Sequence, residues 1–170
     1  MATINLWTHI EAPPERVWDI ISDIPAQKRW MVDLRKIEPF GAQWSTGDAG
    51  DWAQEGAGLD VTSELFGLPL VKDRMRISRW EPPVRFDVEH IGDFTGVGEF
   101  ILQPVAGGTL FTWREVFKPP LGVLGELGFA LVVGPHLRSV FRRSMANVKR
   151  LSEESDVSTE ASANHRPVES

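Results

Sequence analysis

The chain has 170 residues, of which 42% are apolar and 25% charged, the composition of a soluble globular protein with one core. Its net charge of -6 argues against nucleic-acid binding, because non-specific binding to phosphates needs a basic surface. The absence of cysteine excludes disulfides, zinc–thiolate sites and cysteine nucleophiles. The first residues lack a secretory signal pattern and no apolar stretch could span a bilayer, so we expect a cytoplasmic protein without stable membrane insertion.

In chain order, the first predicted elements are a strand and two short helices. Residues 3–10 alternate between apolar and polar side chains, which indicates a strand. The prolines at positions 13 and 14 are typical of the first turn of a helix, which Asp23 and Pro25 then end. A second short helical turn is expected through residues 26–30.

The middle of the chain is predicted to form about six antiparallel strands joined by turns. Gly107-Gly108 indicates a tight hairpin, whereas the polar, glycine-rich residues 41–56 indicate a long loop or ragged hairpin. The candidate strands are residues 34–40, 59–65, 71–80, 85–90, 98–102 and 109–117.

The last ordered segment, from Lys118 to about Ser152, is predicted to contain the longest helix. Its apolar residues recur at three- and four-residue steps, as on one face of a helix. Gly134 and Pro135 predict a break or kink at that point. Residues 154–170 are polar and aperiodic, so we expect one domain over residues 1–153 followed by a disordered tail.

This order of elements predicts an α+β fold. A strongly curved antiparallel sheet would wrap around the long C-terminal helix, and the two short helices after the first strand would close one end.

Several stretches resemble one known superfamily. Residues 10–23, 80–86, 107–115 and 141–151, together with Trp30, are similar to the START-like or Bet v 1-like (SRPBCC) proteins, above all to their bacterial polyketide cyclase/dehydrase and lipid-transport branch. The resemblance implies a helix-grip fold with a cavity between sheet and helix that usually holds a hydrophobic small molecule. It leaves the activity open, because one scaffold carries many functions. Seven tryptophans and nine phenylalanines without any tyrosine suit such an apolar pocket.

Two titratable residues are candidates for catalysis. Glu115 shares a strand face with Trp113 and Phe117, where a carboxyl group removed from water suits a general acid or base. The structural alternative, an ion pair with an arginine, is the interpretation we favour. His90 shares a face with Phe86, and imidazole is suited to proton transfer at neutral pH. A merely hydrogen-bonded histidine near the strand end is again the favoured alternative.

Strand and helix periodicity also predicts the side chains that contact a ligand. Asp73 and Arg79 have the same strand parity and could orient a polar group, although for Asp73 we favour a solvent-exposed strand end. The spacing of the histidines does not indicate a metal site, and we expect no cofactor. The predicted ligand-contacting residues are Met75, Arg79, Phe86, Phe100, Trp113, Phe117, Leu137 and Phe141.

The leading functional hypothesis is the binding of a hydrophobic small molecule, lipid or polyketide-like, in an internal cavity. The alternative is a polyketide aromatase/cyclase or dehydratase that moves protons with Glu115 or His90. A third hypothesis is an interaction domain whose interior is filled by side chains. A homodimer is also left open.

Overall fold

The structure, a computed structural model, describes residues 1–40, 53–92, 95–118 and 129–163. These residues form one antiparallel sheet with helices packed on it. The predicted α+β helix-grip fold is therefore confirmed. The predicted loop over residues 41–56 lies mostly outside the described residues. The strands are β1 Ala2–Ile10, β2 Leu34–Phe40, β3 Gly58–Leu65, β4 Leu68–Glu81, β5 Arg85–Ile91, β6 Thr95–Val105 and β7 Gly108–Phe117. Their order across the sheet is β1-β7-β6-β5-β4-β3-β2.

Two short helices connect β1 to β2, as predicted. Helix α1 spans Pro14–Ile21 and has proline in its first turn, where the missing N–H leaves no intrahelical bond unmade. A 3₁₀ helix follows at Ile24–Arg29. Its start is capped by Asp23, whose carboxylate accepts a hydrogen bond of 3.2 Å from the backbone N–H of Ala26.

The long helix α2 spans Gly134–Ala163 and directly follows a π-helical turn at Phe129–Val133. The predicted change at Gly134 is therefore found. The helix packs against β1 and α1. The buried stripe on α2 consists of Val140, Phe141, Ser144, Met145 and Val148.

The backbone stays helical to Ala163, although a disordered tail is predicted from residue 154 onwards. The apolar repeat of the sequence does end near Leu151. Ion pairs at i,i+4 spacing, Lys149–Glu153 and Arg150–Glu154, support the helix where apolar packing stops. The domain boundary at residue 153 stays a prediction.

An irregularity in β4 changes which side chains face inwards. The pairing of β4 with β5 shifts register between Ile77 and Arg79. Ile77 is fully buried, but the Arg79 side chain beyond the shift is 45% exposed and lies 3.6 Å from Asp87 on the outer face. Trp80 instead packs on Trp18 in the core, with ring centroids 5.0 Å apart. Simple alternation predicts the opposite for Arg79, because it does not allow for a bulge.

None of the helices in the described residues is long and apolar enough to cross a membrane.

Candidate functional site

A cavity of about 520 Å³ lies between the inner face of the sheet and helix α2. Most of its lining is apolar and comes from β2 to β7, from the residues around the 3₁₀ helix and from the start of α2. Arg79, which is predicted to contact a ligand, does not line it. The other predicted ligand-contacting residues all do: Met75, Phe86, Phe100, Trp113, Phe117, Leu137 and Phe141.

Four aromatic rings form a continuous wall of this cavity from the sheet to the helix. Phe86 stacks on Phe100 with a centroid distance of 4.4 Å, and Phe100 lies 4.9 Å from Trp113. Trp113 in turn stacks on Phe141 of α2 at 4.3 Å. Because each ring is held by its neighbours, the wall presents a preformed apolar surface.

Three titratable side chains on another part of the lining contact each other; we call Asp73, His90 and Glu115 the inner cluster. They are only 8%, 7% and 4% exposed. The imidazole lies between the two acids, with Nδ1–H directed at Asp73 Oδ2 and Nε2–H donating to Glu115 Oε2 at 3.3 Å. Trp113 adds a hydrogen bond of 2.8 Å from its indole N–H to Glu115 Oε1.

The strand register explains how these residues meet. Met75 of β4 pairs with His90 of β5, which brings Asp73 within reach of the imidazole. His90 and Glu115, in contrast, are on strands separated by β6. At this place β6 carries glycines, with Gly96 opposite His90 and Gly98 opposite Glu115. A Cβ atom on Gly98 would lie 2.5 Å from Glu115 Oε1. The missing side chain of Gly98 therefore leaves room for the Glu115 carboxylate that contacts His90, whereas a Cβ on Gly96 would meet the backbone of Val116 instead.

The charge of the inner cluster depends on the protonation of His90. Burial by itself would lower the pKa of the imidazole, but hydrogen bonds to Asp73 and Glu115, together with the nearby negative charges, outweigh it and raise the pKa to about 9. At neutral pH the ring is therefore an imidazolium that donates from both nitrogens. Such a group can act as a fixed positive charge or as a general acid beside the cavity.

The contacts of these residues differ in part from those expected. Glu115 is buried as predicted, but its partners among the described residues are His90 and Trp113 rather than an arginine. The favoured solvent-exposed position of Asp73 is wrong, because this residue is 8% exposed and contacts His90. His90 is hydrogen-bonded near the end of β5, which is the alternative that the sequence analysis favours for this residue. The sequence does contain one signal for close contacts at this place, because Gly96 and Gly98 lie inside a strand, where glycine often marks the close approach of other groups.

A further acid, Asp33, lines the cavity from a position just before β2. It is 8% exposed, and burial raises the pKa of its carboxyl group despite opposing effects of its own backbone amide, His136 and Arg143. Its Oδ1 atom is buried without a hydrogen-bond partner among the described residues. The sequence offers no periodic signal for Asp33, because it lies in a connection between elements.

In the described part of the chain, no group of three His, Asp or Glu side chains is arranged to hold a metal ion. Both ring nitrogens of His90 already face carboxylates within the inner cluster.

The sequence also matches a known protein family over most of its length. The family model described as polyketide cyclase / dehydrase and lipid transport matches residues 1–153. The chain belongs to this family. The family assignment is consistent with a hydrophobic ligand, and it confirms the resemblance noted in the sequence.

Solved structures show how closely the fold agrees with other proteins. Protein TTHA0849 from Thermus thermophilus has a TM-score of 0.68 at 18% identity, covering 91% of this chain and 99% of its own. Protein CV1439 from Chromobacterium violaceum has a TM-score of 0.62 at 18% identity, covering 89% and 96%. The Aha1 dimer from Colwellia psychrerythraea has a TM-score of 0.58 at 15% identity, covering 88% and 95%. At these identities the likeness shows the fold alone. A comparison with curated proteins finds no match.

Proposed function

We propose that this chain binds a hydrophobic small molecule, lipid or polyketide-like, in the cavity between the sheet and α2. The observation that carries the proposal is the cavity itself, whose volume of about 520 Å³ is that of a small-molecule site, about 300 to 1,000 Å³. Membership of a polyketide cyclase/dehydrase and lipid-transport family supports a ligand of this kind.

The cavity wall supports binding in energetic terms. Each methylene group moved from water into an apolar site contributes about 0.8 kcal/mol. The stacked rings from Phe86 to Phe141 are held in place before the ligand arrives, so little side-chain entropy is lost on binding.

Native mass spectrometry of the purified protein, followed by denaturation, tests for a bound passenger. Titration with the neutral fluorescent probe N-phenylnaphthylamine then measures binding directly. Met75→Trp would place an indole in the cavity and should abolish probe binding, because Met75 lines it. Arg76→Trp is the matched control, since the neighbouring residue is exposed and does not line the cavity.

Binding of the probe to the wild type and to Arg76→Trp, but not to Met75→Trp, is the expected result. If the wild type retains no passenger and binds no probe, the binding proposal fails. Equal binding by both variants would mean that the probe occupies another surface.

A second candidate function is that of an aromatase/cyclase or dehydratase acting on a poly-ketone chain. The inner cluster favours it, because an imidazolium held between two carboxylates lines the same cavity as the aromatic wall. A positioned general acid contributes roughly a hundredfold to ten-thousandfold to the rate of a reaction. The shape of the cavity would orient the chain for ring closure.

Turnover of a poly-ketone analogue by His90→Gln and Glu115→Gln tests this candidate. Under the enzymatic hypothesis each variant loses roughly a hundredfold or more in kcat. Arg114→Gln is the control, because Arg114 lies on the outer face of β7, the strand that carries Glu115, and this variant should retain the wild-type rate. If both inner-cluster variants keep that rate as well, proton transfer by these residues is excluded.

A further inference from the structure

The first strand of the chain, β1, forms one edge of the sheet. It pairs with β7 along its whole length, from Ala2 to Ile10, without a register shift. On its other side no strand of the described residues lies next to it. An edge strand presents a row of unpaired backbone N–H and C=O groups, which are a template for pairing with another chain.

Two contacts show which residues of β1 face the open side. A Cβ atom added to Gly108 of β7 would lie 2.0 Å from the carbonyl oxygen of Ile10, so this carbonyl points towards β7. The carbonyl oxygen of His9 instead accepts a hydrogen bond of 2.9 Å from Lys149 Nζ of α2. Because backbone groups alternate in direction along an antiparallel strand, the odd-numbered residues of β1 face away from β7.

Three of these odd-numbered residues, Thr3, Asn5 and Trp7, form what we call the open edge. Helix α2 covers only the far end of the strand, where the N–H of Glu11 donates to Glu153 Oε1. The backbone groups of the open edge make no hydrogen bond to any described residue on that side. Its side chains are exposed, and Trp7 is 71% exposed. So large an apolar surface contributes little to the core of its own chain.

The opposite edge of the sheet, β2, is protected against pairing with another chain. Its pairing with β3 shifts register after Leu34, and it carries charged side chains and a proline, the usual means of blocking an edge. These residues are Arg35, Lys36, Glu38 and Pro39. Strand β1 contains no Asp, Glu, Lys, Arg or Pro. The difference favours a partner strand at β1.

The chemistry of the open edge fits a second copy of the same chain. Its side chains are uncharged, so two chains of net charge -6 can approach here without placing like charges opposite each other. Asn5 lies at its centre, and a side-chain amide both donates and accepts, so it can pair with its own copy across a twofold axis. The neighbouring Arg114 of β7 is already paired with Glu99.

A twofold axis at Asn5 would use all backbone groups of the open edge. Antiparallel pairing would place Asn5 opposite Asn5 of the second copy, and Thr3 of each copy opposite Trp7 of the other. Two bonds for each of these pairs give about six backbone hydrogen bonds. Each indole would also cover the exposed side chains opposite and diagonal to it, and buried tryptophans are frequent hot spots of interfaces.

We propose that this chain forms a homodimer by antiparallel pairing of two β1 strands centred on Asn5, so that the two sheets continue into each other. No residue of β1 lines the cavity, so the dimer does not depend on the proposed binding function.

Sedimentation of the full chain over a wide range of concentrations tests the proposal. The wild type should dimerise. Asn5→Pro removes the outward N–H at the centre of the open edge but no bond to β7, because proline is tolerated where a strand N–H faces solvent. We expect it to be monomeric and to unfold cooperatively. Trp7→Lys should raise the Kd of the dimer roughly tenfold or more. Val84→Lys is the matched control, since Val84 is 48% exposed in the turn between β4 and β5, and it should dimerise like the wild type.

A cross-link tests the register. The chain has no cysteine, so Asn5→Cys would introduce one thiol per copy. In a hydrogen-bonded antiparallel pair the Cα atoms are about 5.5 Å apart, within the range of a disulfide. Oxidation with copper phenanthroline should therefore link two copies, as seen on a non-reducing gel. Glu89→Cys is the control, because Glu89 is exposed on β5, and it should not be linked.

The outcomes that overturn the proposal are distinct. A wild type that is monomeric at every concentration contradicts it, and a dimer that persists in both Asn5→Pro and Trp7→Lys uses another surface. If Asn5→Pro does not fold, Trp7→Lys and the cross-link decide. Equal linking of Asn5→Cys and Glu89→Cys would refute the register. The amides of the open edge should exchange slowly with solvent in the dimer, and slow exchange in a monomer would mean that another segment of the same chain covers this edge.

Discussion

Two groups of charged residues occupy opposite faces of the same strands and behave differently. The inner cluster lines the cavity, whereas a second group, which we call the outer cluster, lies on the convex face of β4 to β7. Arg114 and Glu115 are adjacent in sequence, yet one belongs to each group. The outer cluster consists of Arg79, Arg85, Asp87, Glu99 and Arg114.

The outer cluster is a set of ion pairs whose arginines reach water. Arg85 lies 2.8 Å from Asp87 and 2.6 Å from Glu99, and the side chains of Arg79 and Arg114 are both 45% exposed. Salt and water screen such pairs, so each contributes about 0 to 1 kcal/mol. The three residues of the inner cluster are buried, so salt and water screen their charges much less. The face of the strand on which a charged residue lies, rather than its residue type, therefore determines how much that charge contributes to stability.

The largest loss of stability is expected when the imidazole of His90, the central group of the inner cluster, is removed. His90→Leu leaves Asp73 and Glu115 buried together without the imidazolium, which should lower the free energy of unfolding by about 3 to 5 kcal/mol. Urea unfolding followed by tryptophan fluorescence measures the loss. A variant as stable as the wild type would contradict the contacts described for His90.

The pH dependence of stability is the second test. The pKa of His90 rises from 6.5 to about 9 on folding, so its contribution is complete below pH 6.5 and is lost as the pH rises through 9. The loss across this window should amount to about 3 kcal/mol. Urea unfolding at several pH values should show it in the wild type and not in His90→Gln. If the free energy of unfolding depends on pH in the same way in the wild type and in His90→Gln, the raised pKa of His90 is refuted.

A smaller effect is expected from closing the space above β6. In Gly98→Ala the added Cβ would lie 2.5 Å from Glu115 Oε1 and 2.9 Å from a methyl group of Val88. The crowding should cost about 1 to 3 kcal/mol and move Glu115 away from His90, which lowers the pKa of the imidazole. An NMR titration of the ring protons measures that pKa. The cost should shrink in a Glu115→Ala background, and an unchanged cost there would assign the crowding to Val88 instead.

The smallest effect is expected in the outer cluster. Arg114→Ala removes an exposed partner of Glu99, so the free energy of unfolding should change by about 1 kcal/mol or less. The change should also shrink in molar salt, because the pair is screened. A loss comparable to that of His90→Leu would mean that the two faces are not as different as their exposure suggests.

The fold and the inward-facing residues follow from local patterns in the sequence. Period-two alternation places Met75, Phe86, Trp113 and Glu115 on the cavity side, because successive side chains of a strand point to opposite faces. The helical repeat of α2 predicts its buried stripe in the same way, and Gly134 predicts where that helix begins. These features need only near neighbours in the chain.

The contacts of the candidate site depend on long-range pairing, which local patterns do not contain. Local patterns do predict a curved sheet around a helix and an apolar interior with Glu115 and His90 turned inwards. The contact of Asp73 with His90, the room that Gly98 leaves for Glu115 beside His90, and the bulge that turns Arg79 outwards depend on how distant strands pair. The physical reason is that strand register and bulges are set by hydrogen bonds between segments far apart in the chain, and a shift of one residue reverses the face of every side chain beyond it.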